Sequence, residues 1–384
     1  MVTTERRKKG SGSIQKKANG TYLGRIRISG YEPFYYTGTS EKEVQKKLNE
    51  FRIKTLKEEI IPQKQTVNMY IERWLLMVKQ PSLKASSYDR LETTYLKQIQ
   101  PTAVGRSQLG TLSSMEIQLL INSYTKTLSY STLKKVYDLL SNCLRYAVAV
   151  RDIGYNPMDG VTLPKKENMV IQTKEIEIMT DTDMKLLEEA QNATYDSGKT
   201  KYWYASAYVL IANTGMRSGE ALALTWDKVN LTKGTITISQ NASMVKKRDG
   251  NREGSTQIIT STKTRSGTRQ IPLNSKALAA LVHLKQLQEE YKIKTNFVIC
   301  TATGKMVVQS SFFRIFQNMQ KSLGIQQPVT IHALRHTFAT HLIAAKVDIK
   351  VVSQLLGHSS VKITYDTYVH TDLSRAFSAV KTLE

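Results

Sequence analysis

The hydrophobic pattern of the chain changes twice along its length, and this change most constrains the possible fold. Strand-like runs with turn signals fill the first sixty or so residues, helical spacing of apolar residues follows, and helices mixed with short strands make up the rest. A length of 384 residues also exceeds one typical hydrophobic core. We therefore predict a multi-domain α+β protein with domains at 1–63, 64–165 and 176–384 and a linker at 166–175.

The first predicted domain is a small sheet covered by one helix. In GSIQKKANGTYLGRIRI, the dipeptide Asn19-Gly20 separates two strand-like runs and predicts a hairpin, and PFYYTGT supplies a third strand. Ser40 and Glu43 form the pattern of a capping box ahead of a helix that runs through Leu56. The helix is expected to cover the apolar face of the sheet.

The opposite face of this sheet is predicted to be basic. Alternation within TYLGRIRI places two arginines on one face and two isoleucines, Ile26 and Ile28, on the other. The candidate DNA-binding residues are Lys16, Lys17, Arg25 and Arg27. A three-stranded sheet with such a face can enter a DNA major groove. A charged face that is merely solvated is the alternative.

The middle region is helical throughout by its pattern. It contains TVNMYIERWLLMVKQ, a run after Ser86, SSMEIQLLINSYTKT with a capping box at Ser113 and Glu116, and YSTLKKVYDLLSNCLRYAVAV. Pro157, Gly160 and Pro164 in GYNPMDGVTLPKK end this pattern. An all-α domain is therefore expected here.

The last region predicts a mainly α domain with a small antiparallel sheet. SAYVLIANTGMRSGEALALTW reads as two helices separated at Thr214 and Gly215, and GTITISQ, STQIITST and TRQIPL read as consecutive strands. Lys263 is expected near the tip of a hairpin formed by these strands. Helices alternate with short loops from there on.

The charge balance indicates a polyanionic partner. The chain has 55 Lys and Arg against 32 Asp and Glu, a formal net charge of +23, and nucleic acid is the commonest partner of such a surplus. A basic cytosolic protein without such a partner is the alternative. Cys143 and Cys300 form no CxxC pair, and neither a signal peptide nor a run of ~20 apolar residues is present, so we expect a soluble cytoplasmic protein.

Three cationic elements in the last region indicate a phosphate site. They carry Arg217, Lys263, and the group His332, Arg335 and His358. His332 and His336 have the spacing of two zinc ligands on a helix, but no carboxylate occurs between residues 330 and 346, and an arginine beside a metal ion would be repelled. Forked guanidinium donors and imidazoles suit a phosphodiester better. No metal or other cofactor is therefore expected, and no GxxxxGK[ST] motif supports nucleotide hydrolysis.

Two tyrosines downstream of this cluster are candidate nucleophiles. Tyr365 and Tyr368 lie about one helical turn apart in HSSVKITYDTYVHTD. A phenol has a pKa near ~10 and becomes competent when cations hold the phosphorus and stabilise the developing charge. A phenolic ester would conserve the energy of the DNA backbone bond, so that resealing needs no ATP. Spacing alone leaves the choice between the two tyrosines open.

Four motifs, TGMRSGEALAL, HALRHTFATHL, LLGHSS and TYDTYVH, in this order and at these separations resemble those of the tyrosine recombinases, the integrases of phages and conjugative elements. The resemblance implies a phosphate site made of Arg217, Lys263, His332, Arg335 and His358. It also implies that Tyr368, two residues before His370, attacks the DNA. Lys263 would be the general acid toward the leaving 5′ oxygen, with Glu220 supporting Arg217; His336 is expected to support the site.

The same resemblance implies how the enzyme would work. The domains at 1–63, 64–165 and 176–384 would bind arm sites, clamp the core site and catalyse a strand exchange that integrates and excises a mobile element through a 3′-phosphotyrosyl intermediate. Two duplexes imply a homotetramer on double-stranded DNA, together with accessory DNA-bending and excision factors. The segment DLSRAFSAVKTLE would then pack on a neighbouring protomer.

Two other classes of protein remain possible on the residues alone. A non-catalytic DNA-binding regulator explains the charge but gives the Arg, His and Tyr cluster no purpose. A topoisomerase of type IB would use the same tyrosine chemistry on single duplexes without pairing sites. The basic N-terminal domain favours site-specific pairing over the topoisomerase.

Overall fold

The computed structural model describes residues 12–28, 33–56, 65–171, 177–248, 254–261 and 267–368. The chain separates into two compact units, Met1–Lys174 and Glu175–Glu384. In the described segments, no helix combines the length and the apolar character needed to cross a lipid bilayer.

The first unit begins with the predicted sheet and helix. Strands β1 (Ser13–Lys16), β2 (Tyr22–Ile26) and β3 (Phe34–Gly38) pair antiparallel in that order, and α1 (Glu41–Leu56) follows. Ile26 of β2 is buried against Val44 and Leu48 of α1, whereas Arg27 is exposed. The predicted hairpin, third strand and apolar face are thus confirmed.

The capping pattern at Ser40 and Glu43 forms only in part. The Ser40 hydroxyl accepts a hydrogen bond from the Glu43 backbone N–H at 3.2 Å, as predicted. The Glu43 carboxylate, however, accepts from the backbone N–H of Thr39 at 3.0 Å and from the Tyr36 hydroxyl at 2.8 Å. Because Tyr36 lies on β3, this carboxylate ties the start of α1 to the sheet.

The rest of the first unit is helical, as predicted. Its helices are α2 (Val67–Trp74), α3 (Gln80–Ser82), α4 (Ala85–Gln98), α5 (Ala103–Arg106), α6 (Ser114–Ser123) and α7 (Tyr130–Ala149), with a π-helical turn at Leu75–Lys79 between α2 and α3. Short 3-10 turns lie at Leu109–Thr111 and Lys166–Asn168. The capping box of Ser113 and Glu116 is complete, with both reciprocal hydrogen bonds present.

The second unit is built around one buried helix. Its helices are α8 (Asp181–Glu189), α9 (Ala205–Thr214), α10 (Ser218–Leu222), α11 (Ser275–Glu290), α12 (Gln309–Ser322), α13 (Ile331–Ala344), α14 (Ile349–Leu356) and α15 (Val361–Tyr368). Short 3-10 turns lie at Ala190–Asn192 and Trp226–Lys228. Helix α9 is apolar on nearly all sides and packs against α8, α11 and α13.

The break between α9 and α10 falls at Gly215, as the sequence predicted. Gly215 has φ 63° and ends α9. A Cβ atom at this position would overlap the Phe338 ring. Only glycine combines this backbone conformation with such a close approach.

The strands of the second unit form, but they do not pair in sequence order. Strand β4 (Val229–Asn230) pairs with β5 (Thr235–Ile238), which also pairs with β8 (Arg269–Pro272), while β6 (Gln240–Lys246) pairs with β7 (Ser255–Ser261). Strand β6 was not predicted. The expected hairpin of β7 and β8 is wrong, because β8 pairs with β5 and buries Ile271 opposite Ile236.

Replacing Gly24 of β2 by alanine should loosen the contact between the sheet and α1. The new methyl group would overlap Val44 and crowd Leu48, an overpacking that costs about 1–3 kcal/mol. Amide hydrogen exchange in the full chain should be faster by about tenfold or more in β1–β3 and α1. Gly110→Ala is the matched control, since a Cβ there has open space; equal protection in both variants would contradict the packing assigned to Gly24.

Candidate active site

Helix α13 presents the central residues of the site. His332 and His336 lie one turn apart, with their ring centroids 4.6 Å apart in an edge-to-face arrangement. Arg335 points into the protein and is only 2% exposed. The predicted common face of the two histidines is confirmed. Among the residues that the structure describes, no group of three or more His, Cys, Asp or Glu side chains is placed to hold a metal ion.

The Arg335 guanidinium is held by backbone carbonyl groups at the ends of two other helices. Its Nη1 donates to the Gly215 carbonyl and its Nη2 to the Leu356 carbonyl, each at 2.8 Å. Burial and the charge of Arg217 lower the pKa of Arg335 to about 9. The guanidinium thus stays protonated at neutral pH, and the partial negative charge at the C-terminal ends of α9 and α14 helps to stabilise it.

A second cationic group forms around one buried carboxylate. Glu220 of α10 accepts hydrogen bonds from the backbone N–H and Nη1 of Arg217, both at 2.8 Å. It also binds both terminal nitrogens of Arg269, at 3.2 and 2.9 Å. Burial alone would raise the pKa of Glu220, but the hydrogen bond and charge of Arg269 and the charge of Arg217 hold it below its usual range.

Arg217 and Arg269 differ in their access to solvent. The Arg217 side chain is 39% exposed, whereas that of Arg269 is only 7% exposed. Arg269 also donates from Nε to the Leu355 carbonyl at 2.7 Å, so that it joins Glu220 to the last turn of α14. Arg217 can therefore bind an incoming anion, while Arg269 is used inside the protein.

His358 follows directly after Gly357, the residue that ends α14. Its Nδ1 lies 2.8 Å from the hydroxyl of Thr364, which is fully buried on α15. Burial, followed by the charges of Arg335 and Arg217, lowers the pKa of His358 to about 4. The imidazole is therefore neutral at neutral pH, and its Nε2 remains as the nitrogen for another partner.

The structure distinguishes the two candidate tyrosines. The Tyr368 hydroxyl lies 2.7 Å from Nδ1 of His336, and its half-buried ring packs beside Ala339 and Leu356. Burial raises the pKa of Tyr368, and the charges of Arg335 and Arg217 oppose that shift. Tyr365 is 48% exposed. Of the two candidates, Tyr368 is thus the one with a recorded contact to a histidine of α13.

The pKa values of His336 and His332 are both lowered by their surroundings. Burial, then the proximity of His332 and the charge of Arg335, lowers the pKa of His336 to about 4. His332 remains exposed overall, yet the protein around its ring, then the charges of Arg335 and Arg217, lowers its pKa as well. Both rings are therefore predominantly neutral at neutral pH.

Most of the residues predicted from the sequence come together here. Arg217, Glu220, His332, Arg335, His336, His358 and Tyr368 lie in one region of the second unit. Lys263 lies outside the described residues. Arg269 and Thr364 were not singled out for the site. Arg269 lies two residues before the buried Ile271 and so points to the same face of β8. This position could have indicated a buried arginine that needs a carboxylate partner.

The basic candidates of the first unit lie on or beside its sheet. Lys16 and Arg25 stand over the rings of Tyr22 and Tyr35, at 5.6 and 5.5 Å from the ring centroids. Lys17 and Arg27 are exposed. Tyr35 is also largely exposed, so the sheet presents an aromatic surface together with its positive charge.

Comparison with known proteins places this geometry in a family. Residues 177–375 match the model of the phage integrase family. The chain is 27% identical over 333 residues to a tyrosine recombinase XerC-like protein of Caldanaerobacter subterraneus subsp. tengcongensis, covering 83% of this chain and 82% of that protein. It is 26% identical over 347 residues to a Staphylococcus phage integrase, covering 86% of this chain and 94% of the integrase.

Two solved structures share the fold. The Tn1549 transposon integrase in complex with a circular intermediate DNA matches with a TM-score of 0.66 at 20% identity, covering 83% of this chain and 100% of that chain. The lambda integrase tetramer bound to a Holliday junction matches with a TM-score of 0.57 at 18% identity, covering 95% of this chain and 97% of that chain. The protein belongs to the phage integrase family of tyrosine-type site-specific DNA recombinases.

Proposed function

We propose that the chain cuts and rejoins DNA by attack of Tyr368 on a phosphodiester. The attack forms a 3′-phosphotyrosyl link and releases a 5′ hydroxyl, and a 5′ hydroxyl of the partner duplex then reverses the reaction to seal the exchanged strand. The observation that carries this proposal is the position of the Tyr368 hydroxyl, 2.7 Å from His336 on the same helix as Arg335.

Positive charge held before substrate arrives supports this chemistry. The partly exposed Arg217 and the buried Arg335 would stabilise the non-bridging oxygens of the phosphate, because fixed donors in a partly dry site need no reorganisation during the reaction. Neutral His358 and His332 would add hydrogen bonds. In His358, the Thr364 hydroxyl would donate to Nδ1 and so leave Nε2–H directed at the phosphate.

The remaining roles of the site are part of the same proposal. Lys263 would protonate the leaving 5′ oxygen, and Arg269 would hold Glu220 and thereby Arg217. A lysine suits proton donation, since its pKa shifts readily with its surroundings. No metal ion or nucleotide takes part, because the fixed cations supply the charge stabilisation that a metal would provide elsewhere.

DNA and a second duplex are the proposed partners. The Tn1549 integrase was solved with a circular intermediate DNA, and lambda integrase as a tetramer on a Holliday junction. By analogy, residues 1–63 would bind arm sites through Lys16, Lys17, Arg25 and Arg27, residues 64–165 would clamp the core site, and residues 176–384 would catalyse, in a homotetramer assembled on DNA. The proposal also includes accessory DNA-bending and excision factors and a cytoplasmic location. It further includes packing of the C-terminal segment, which lies outside the described residues, on a neighbouring protomer.

Two assays separate this proposal from its alternatives. A duplex with the element's crossover site and a nick beside the scissile bond traps a covalent protein–DNA adduct, which resists SDS. A regulator without catalytic activity would form no adduct. A type IB-like topoisomerase would relax a plasmid that lacks any crossover site, whereas the recombinase should require the site.

Tyr368→Phe should abolish the covalent adduct on the nicked duplex, with a loss of at least about 10⁴-fold, because no other group replaces the phenolic oxygen. Tyr365→Phe is the matched control and should react within about threefold of wild type, since the Tyr365 side chain is largely exposed. An adduct formed by Tyr368→Phe, or loss of the adduct in Tyr365→Phe, would show that Tyr368 is not the nucleophile.

Arg269→Lys should slow cleavage about 10- to 100-fold while DNA affinity changes less than about threefold. A lysine keeps the charge but cannot bind both Glu220 oxygens and the Leu355 carbonyl at once. Single-turnover cleavage and fluorescence anisotropy measure the two effects. Arg52→Lys, at an exposed position of α1, is the control; cleavage by Arg269→Lys at the wild-type rate would show that Arg269 does not position Arg217.

A further inference from the structure

We propose that His336 is a catalytic residue of the strand-cleavage step, and that its Nδ1 takes the proton of the Tyr368 hydroxyl as the phenolic oxygen attacks phosphorus. The inference rests on the proposed function and adds a proton acceptor to it. Its foundation is geometric: the two atoms lie 2.7 Å apart, within the distance over which a general base acts.

The other polar groups of the site are unsuited to this task. Arg217 and Arg335 carry positive charge and have no acceptor atom. Glu220 is occupied by two arginines, and Nδ1 of His358 by Thr364. His332 is a neutral imidazole too, but within the described part of the chain the recorded hydrogen bond of the Tyr368 hydroxyl is to His336 and not to His332.

The geometry of α13 gives His332, Arg335 and His336 separate tasks. His332 and His336 share one face of α13, and His336 lies between the His332 ring and the Tyr368 ring, with centroid distances of 4.6 and 5.5 Å. Arg335 projects from the same turn into the interior. The phosphate and the phenol therefore meet over one turn of helix, with His336 on the side of the phenol.

The charge state of His336 fits a proton acceptor. Burial, then His332 and Arg335, lowers the pKa of His336 to about 4, so Nδ1 is unprotonated at neutral pH when Nε2 carries the hydrogen. Burial meanwhile raises the pKa of Tyr368. Proton transfer is therefore unfavourable without DNA, and the phenol stays protonated.

Bound DNA changes this balance. The phosphodiester brings one negative charge beside Arg217 and Arg335, and the transition state develops a second, which together favour an imidazolium at His336. In cleavage, the Oη–H bond breaks, the P–Oη bond forms, the P–O5′ bond breaks, and the proton moves to Nδ1. The leaving 5′ oxygen takes a separate proton from the general acid, and His336 returns its own proton to the phenol when the strand is sealed.

The test uses a duplex with the crossover site and a sulfur atom in place of the bridging 5′ oxygen at the scissile phosphate. A thiolate leaves without a general acid, so the rate of adduct formation reports on activation of the phenol alone. His336→Asn places an amide oxygen near the position of Nδ1, which retains a hydrogen-bond acceptor that cannot take the proton. His336→Ala removes both properties.

Both variants should form the adduct about 10²-fold or more slowly than wild type on this substrate, and added imidazole should restore part of the rate of His336→Ala. An adduct rate for His336→Asn within about threefold of wild type would overturn the inference, because a hydrogen bond alone would then suffice. If the wild-type protein forms no adduct on this substrate, the proposed function fails. If it forms an adduct whose rate does not depend on His336, only the present inference fails.

A second measurement separates proton transfer from a disturbed site. Difluorotyrosine at position 368 lowers the pKa of the phenol and should reduce the defect of His336→Asn from about 10²-fold to less than about tenfold. An unchanged defect would assign His336 a packing role and overturn the inference. Tyr368→Phe is the blank, and the DNA affinity of each variant shows that its fold is retained.

Discussion

The catalytic half of the protein depends on holding a guanidinium charge in its interior. A buried charge is costly unless its hydrogen-bonding capacity is satisfied. Arg335 meets this requirement with two backbone carbonyl groups, one where α9 ends and one in the last turn of α14. These bonds fix α13 against both helices, so the charge that is proposed to bind the phosphate also determines how the helices pack.

The group of charged side chains around Glu220 carries more positive than negative charge. Three arginines, Arg217, Arg269 and Arg335, surround one buried carboxylate, Glu220. Arg269 and Arg335 are committed to bonds within the protein, whereas Arg217 is partly exposed. Among the described residues this cluster carries excess positive charge, which the proposed phosphodiester would compensate.

Local features of the sequence predicted much of this architecture, and long-range pairing was the main source of error. The hairpin at Asn19-Gly20, the break at Gly215 and the shared face of His332 and His336 each depend on residues close together in the chain. The pairing of β8 with β5 depends instead on which strand buries Ile271, and the sequence pattern does not specify that partner. Arg269 was missed for the same reason, since its partner Glu220 lies 49 residues away.

The contact of His336 with Tyr368 shows a further limit of sequence patterns. Spacing places His336 on the same face as His332, but the direction in which α15 returns to α13 decides which histidine meets the phenol. In the proposed reaction, this contact gives the arginines and the histidines different tasks. In the proposed reaction Arg217 and Arg335 bind the phosphate, whereas His336 and His358 are held neutral by burial and by nearby positive charge. In the proposed mechanism, a neutral imidazole beside fixed positive charge accepts a proton when the substrate supplies compensating negative charge, which would make activation of the nucleophile depend on bound DNA.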